Sequence, residues 1–164
     1  MSEISGAEPQ RTREAFERAV EALSHKERTA AEVGAWLAKR GFEPAEIEAA
    51  VGRLVEAGGL DDQQFARRFA EDKRELRGWG PERIRETLAG RGVDRDLIEA
   101  ALAGDERTSQ LERAIDLLDS RGDPPLDEAA RARALAFLAR RGYASELAYD
   151  AVRGFERRYE QRAA

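Results

Sequence analysis

This 164-residue chain has no cysteine, one histidine and one methionine, and only 7% of it is aromatic. Without thiols it can hold no disulfide framework, cysteine zinc site, iron–sulfur cluster or cysteine nucleophile. His25 alone cannot form a clustered histidine metal site, so no metal or other cofactor is expected. No apolar run approaches the roughly 18 residues that a membrane span requires. Met1 to Gln10 lacks the basic-then-apolar pattern of an export signal, so a cytoplasmic location is expected. Alternation of apolar and polar residues is nowhere sustained, which leaves no strand pattern. Lysine is scarce as well: Lys26, Lys39 and Lys73 are the only three among 28 bases, and the rest are arginine. A GC-rich genome suffices for that bias, but arginine brings a planar fork suited to carboxylates and phosphates.

Charge is abundant and nearly balanced. With 33 acids against 28 bases the net charge is −5, unlike a protein that coats nucleic acid wholesale. Residues 1–60 carry 8 bases against 11 acids, 61–104 carry 9 against 10, and 105–164 carry 11 against 12. A basic stripe on one side can hide beneath such sums.

Three segments align. They are Trp36-Leu37-Ala38-Lys39-Arg40-Gly41-Phe42, Thr87-Leu88-Ala89-Gly90-Arg91-Gly92-Val93 and Phe137-Leu138-Ala139-Arg140-Arg141-Gly142-Tyr143. Gly41, Gly92 and Gly142 are 51 and 50 residues apart, each four after a leucine and one before an apolar or aromatic residue. Leu-x-x-x-Gly is a helix end whose glycine takes the left-handed turn. A second helix follows, with Pro44 suited to its first position and Asp94 to an N-cap. A helix also precedes each pair: Phe16, Val20 and Leu23, then Phe65, Phe69 and Leu76, then Leu111, Ile115 and Leu118 each mark one helical face. Thr29-Ala30-Ala31-Glu32 has the capping-box form, and Pro81 is placed to start a helix after Gly78-Trp79-Gly80.

The fold expected is all-α, with three tandem three-helix repeats forming an elongated, curved array. The divisions are a flexible tail over 1–12 and repeats over 13–60, 61–104 and 105–164. Gly122-Asp123-Pro124-Pro125 reads as a rigid turn inside the third repeat.

Nothing in the pattern points to catalysis. The adjacent pair Asp61-Asp62 sits at a helix start, where N-capping and complementing the helix dipole are its roles. His25 falls at a helix end, a solvated or dipole-complementing place. There is no GxxxxGK[ST] phosphate loop, so ATP hydrolysis by this chain is not expected. Binding surfaces are a different matter. On the helix from Asp62 to Arg77, with Phe65, Phe69 and Leu76 inward, Arg67, Arg74 and Arg77 fall near the opposite side and Arg68 and Lys73 on its flanks. Trp79 lies in a tight turn, either packed on Phe65 or Leu88 or exposed as an anchor. Arg83 and Arg85 sit near a helix start, against the helix dipole. In the third repeat Arg131, Arg133, Arg140 and Arg141 add positive charge.

Gly59-Leu60-Asp61-Asp62-Gln63-Gln64-Phe65-Ala66, then Gly78-Trp79-Gly80-Pro81-Glu82-Arg83-Ile84, then Leu88-Ala89-Gly90-Arg91-Gly92-Val93 resemble the RecX family of bacterial regulatory proteins. The blocks at Leu37–Gly41 and Leu138–Tyr143 fit that family's first and third repeats, so the resemblance spans about 15–155. Ala148, where an isoleucine is more usual, and the loose pattern of 105–130 make the third repeat the weaker match. The resemblance implies tandem three-helix repeats and a partner, the RecA filament on single-stranded DNA, whose ATPase, strand exchange and co-protease activity would be inhibited. A monomer acting by binding alone is expected, with Arg67, Arg68, Lys73, Arg74, Arg77, Trp79, Arg83, Arg85, Arg131, Arg133, Arg140 and Arg141 as the RecA- or DNA-contacting residues. The rival reading is a helical module that binds single- or double-stranded DNA directly, without RecA.

Overall fold

In the computed structural model the described residues are 9–122, 124 and 127–164. Their regular structure is helical throughout, with no strand among them. In chain order the helices are α1 (Gln10–His25), α2 (Ala30–Ala38), α3 (Pro44–Glu56), α4 (Asp62–Arg77), α5 (Pro81–Gly90), α6 (Arg95–Leu102), α7 (Arg107–Asp119), α8 (Glu128–Arg141) and α9 (Ser145–Ala163). Among the described residues no helix is long and apolar enough to cross a membrane.

Helix starts follow local chemistry. Thr29 and Glu32 form the capping box of α2: the Glu32 amide donates to Thr29 Oγ1 at 3.2 Å and the Thr29 amide to Glu32 Oε2 at 3.1 Å. Glu43 does the same with Glu46 for α3, which opens on Pro44. Of the adjacent aspartates only Asp61 caps α4, accepting the Gln64 amide at 2.9 Å. Asp62 instead accepts the Ala30 amide at 2.9 Å, and burial raises its carboxyl pKa above the ordinary value. One carboxylate thus serves its own helix and the next serves the start of α2.

Two expectations about α1 need correction. The helix begins at Gln10, not after residue 12: Pro9 opens it, Thr12 is buried, and Arg11 is held by Glu46 and the Gly41 carbonyl. Residues 1–8 of the expected tail lie outside the described residues. The buried stripe of α1 is Ala15, Ala19 and Ala22, one position before the expected Phe16, Val20 and Leu23. Val20 is 45% exposed. Small residues let the backbones approach, so the alanines take the centre and Phe16 and Leu23 pack at the margin. The expected turn over 122–125 lies partly outside the described residues, because 123 and 125 are not among them.

By packing, the described chain forms two compact units, and the boundary runs through the second sequence repeat. The first comprises residues up to 65 together with 90–94. It joins α1, α2 and α3 around Ala15, Ala19, Val33, Leu37, Ala50 and Leu54. The second comprises 66–89 and 95–164, with its core between α7, α8 and α9 around Ile115, Leu118, Leu138, Leu147 and Val152.

Each unit contains the same kind of junction. In the first, Thr29 Oγ1 donates to the Arg91 carbonyl at 2.7 Å, and Arg91 forms a fork on Glu32 at 2.8 and 2.9 Å. A Cβ added to Gly92 would lie 2.4 Å from the Ala31 Cβ. In the second, the Gly80 amide donates to the Arg141 carbonyl at 2.7 Å and the Glu82 amide to the Gly142 carbonyl at 3.0 Å. A Cβ on Gly142 would meet the Arg83 backbone nitrogen at 2.3 Å. The start of one repeat's second helix is therefore docked on the glycine turn of the following repeat.

Gly142 (φ +90°) and Gly41 (φ +81°) both occupy the left-handed region, but a Cβ on Gly41 meets nothing within 4 Å. Gly41→Ala should cost only the left-handed penalty of about 1–2 kcal/mol. Gly142→Ala should cost clearly more, because backbone must also move; urea unfolding of the two variants measures the difference. A second expectation concerns acid. The Arg91 hydrogen bond holds the Glu32 carboxyl below the usual glutamate range. A depressed folded-state pKa contributes stability above the ordinary value and loses it as pH falls through the folded one. Thermal midpoints should therefore drop between about pH 5 and pH 3, and Glu32→Gln should flatten part of that drop.

Candidate binding surface

α4 presents its buried side through Phe65, Ala66 and Ala70, with Phe69 half-buried. Leu76 departs from the expected inward stripe and is 77% exposed. Its angular position on the helix is that of Phe65, but at the last turn of α4 no side chain packs over it. It lines an open cleft of about 430 Å³ with Arg77, Arg113, Leu117, Ser120 and Arg141. The lining also holds Arg74 and the acids Glu75 and Asp116, so arginines outnumber acids there, and Leu76 gives the rim an apolar side chain.

Trp79 is half-buried. Its ring meets Phe69 edge-on, with centroids 6.3 Å apart. The Arg83 guanidinium stacks on it at 4.0 Å and Lys73 Nζ stands 5.3 Å away. Arg83 Nη1 also donates to the Arg140 carbonyl at 3.1 Å. Arg141 donates to the Arg77 carbonyl, and the Tyr143 hydroxyl donates to the Gly78 carbonyl at 3.0 Å. Burial pushes the Tyr143 hydroxyl pKa up. These contacts bring Lys73, Arg77, Trp79, Arg83, Arg140 and Arg141 together around the turn between α4 and α5 and the end of α8.

Other arginines are committed elsewhere. Arg74 lies 3.4 Å from Asp105, whose side chain is 1% exposed, and Arg113 grips the same carboxylate at 2.7 and 2.8 Å. Arg85 is held by Glu99 and Glu82, at 2.7 and 2.9 Å, and these bonds raise its pKa. Arg131 is held by Glu156 and Glu128, at 2.9 and 3.1 Å. Arg68 is exposed and has a partner of its own. Arg133 lines a separate cleft with Arg121 and Phe137 rather than joining Arg140 and Arg141. Arg67, Arg77, Arg133 and Arg140 have exposed side chains with no ion pair among the described residues.

Asp105 was not singled out by the sequence. It stands in the short link between α6 and α7, where an acid reads as a helix cap, and its partners lie 31 residues before and 8 after it. Removing the buried acceptor leaves two guanidiniums facing each other with nothing between. Asp105→Ala should therefore destabilise the chain by about 3–5 kcal/mol. Arg85→Ala, which opens an exposed network, should cost about 0–1 kcal/mol. Chemical denaturation of both variants checks the contrast.

Comparison with known proteins gives one family. Residues 15–54 match the first three-helix domain of RecX, and residues 61–102 match the second. A curated relative from Mycolicibacterium vanbaalenii named regulatory protein RecX is 37% identical over 140 residues, covering 79% of this chain and 76% of that protein. One of the same name from Deinococcus radiodurans is 39% identical over 137 residues, covering 82% of this chain and 65% of that protein. A crystal structure of RecX from Lactobacillus salivarius matches the fold with a TM-score of 0.78 at 18% identity, over 89% of this chain and 97% of that one.

Proposed function

The chain belongs to the RecX family of regulatory proteins, and from that premise we propose that it binds RecA filaments on single-stranded DNA and inhibits their ATPase, strand exchange and co-protease activity. The action is binding alone. The chain docks on the filament through the cationic cluster at the α4–α5 turn and the end of α8, bridging RecA protomers or covering the DNA they hold.

The observation that carries this placement is a subtraction. Arg74, Arg85 and Arg131 are neutralised within the chain by Asp105, Glu99 and Glu156. Arg67, Arg133, Arg77 and Arg140 remain exposed and without ion pairs among the described residues, the last two beside the Leu76 cleft and the Trp79 stack. Charge that no internal carboxylate absorbs is available to phosphate oxygens or to acids on a protein surface. The exposed leucine adds apolar contact at the same place, and the packed tryptophan holds the turn rigid.

The test is RecA's DNA-dependent ATPase with this protein titrated in. Hydrolysis should fall as the protein is added. The triple variant Arg67→Glu, Arg77→Glu, Arg140→Glu should need about tenfold more protein or greater for the same inhibition, with helicity unchanged. Arg85→Ala and Arg131→Ala should inhibit like the wild type. Unchanged hydrolysis with unchanged filament length defeats the proposal. Tight DNA binding that needs no RecA and falls steeply with salt would transfer the reading to a DNA-binding module.

A further inference from the structure

Two clefts flank α8 within the second packing unit, and their charges differ. In the one lined by Tyr149 and Val152 each cation has an acid: Arg131 meets Glu128 and Glu156, and Arg153 meets Asp150. The other, of about 230 Å³, holds Arg121 and Arg133 and has no acid among its described lining residues. Arg133 is exposed with no ion pair among the described residues. The Arg121 guanidinium lies over the Phe137 ring at 4.1 Å and likewise meets no carboxylate among them. The described acids nearest to these arginines in sequence are engaged elsewhere. Asp119 is held by Arg162, Asp127 by the Ala130 amide and Glu128 by Arg131.

The remaining lining of this cleft is apolar, with Ala134, Phe137 and Phe155 in it, and supplies no polar side chain for a base edge. Stacking on Phe137 fixes the plane of the Arg121 fork and leaves the donors at its edge for a carboxylate. Two unmatched cations over an apolar recess complement a chain segment that carries carboxylates beside an apolar side chain.

We propose that this cleft docks an acidic peptide segment of a partner protein, with one apolar side chain of that segment against Ala134 and Phe137 and its neighbouring carboxylates on Arg121 and Arg133. The contact uses neither Arg77 nor Arg140 and stands apart from the function proposed above. The recess is small, so the affinity is low, with Kd on the order of 100 μM. Salt weakens the contact, because both arginines are exposed.

Fluorescence anisotropy tests this with the full chain and a labelled short peptide in which aspartates and glutamates flank one leucine. The wild type should saturate below about 1 mM. Arg133→Glu should weaken binding about tenfold or more, with helicity unchanged. Arg121→Gln, which keeps a side-chain stem on Phe137, should weaken it about threefold or more. Arg13→Glu makes the same charge change on an exposed position of α1 and should stay within about twofold of the wild type. A peptide with serine for the leucine should bind about fivefold more weakly. A wild-type chain that does not bind the peptide overturns the proposal, as does Arg133→Glu binding like the wild type. Equal binding of the serine peptide also overturns it, because charge alone would then suffice. So does a single-stranded oligonucleotide that binds more tightly than the peptide and loses affinity in the same arginine variants, which would make this a nucleic-acid contact.

Discussion

At both internal junctions a helix start fits against a helix-end turn because the turn residue has no side chain, and that constraint organises this molecule. At Gly92 and Gly142 the second helix of the repeat ends in a left-handed turn, and the space a Cβ would fill belongs to the helix of the preceding repeat. The approach exposes carbonyls that would otherwise be unsatisfied at a helix end. Thr29 Oγ1 and the amides of Gly80 and Glu82 take up that capacity at 2.7 to 3.0 Å. The same groups are the orphan donors and caps of the helix that arrives, so each helix end satisfies the other. Hydrogen bonds of this kind contribute modestly one by one, but leaving them unmade inside a packed junction is costly. The glycine is therefore fixed twice, by φ and by contact.

That double role explains how much of the fold could be read from sequence. The 51- and 50-residue spacing of Gly41, Gly92 and Gly142 marks the helix ends, and Thr29, Pro44 and Pro81 mark helix starts where the structure has them. These signals are local: a cap or a left-handed turn is decided by a few neighbouring residues. What failed to show was set by residues far along the chain. The choice between Ala15-Ala19-Ala22 and Phe16-Val20-Leu23 as the buried stripe of α1 depends on how closely α3 approaches, and both sets have the same period. Leu76 keeps the stripe's angle but has no neighbour at its height. Asp105 needs Arg74 and Arg113, which only packing brings to it.

The candidate surface was legible as a list of cations and not as a place. An arginine count cannot separate a guanidinium consumed by the chain's own carboxylates from one left over. In a chain with 33 acids and 28 bases many are consumed. Arg85 between Glu82 and Glu99, Arg131 between Glu128 and Glu156, and Arg158 and Arg162 on Asp116 and Asp119 are examples. Such exposed pairs add little stability singly, yet they remove their charge from any partner's reach. Arg77 and Arg140 are unpaired among the described residues and flank the same turn, although the net charge of the second and third repeats is slightly negative. A positive site on an acidic protein is made by local imbalance, where the chain's own acids are outnumbered or already paired.

The aromatic groups around that site have a part that the charges alone do not supply. A loose arginine loses side-chain freedom on binding, at a cost of up to about 2 kcal/mol each. Arg83 has already lost that freedom, because Trp79 and the Arg140 carbonyl hold it. Arg141 is held by the Arg77 carbonyl and by the Phe137 ring, 5.1 Å away. These fixed guanidiniums anchor the backbone that presents Arg77 and Arg140, so the free cations project from a rigid base. A partner meeting this base orders only the tips of a few side chains. Preorganisation of that kind lets a small cationic cluster bind specifically without a large buried area. The same reasoning gives a packed tryptophan a part in the proposed surface: it holds in place the residues that would touch a partner.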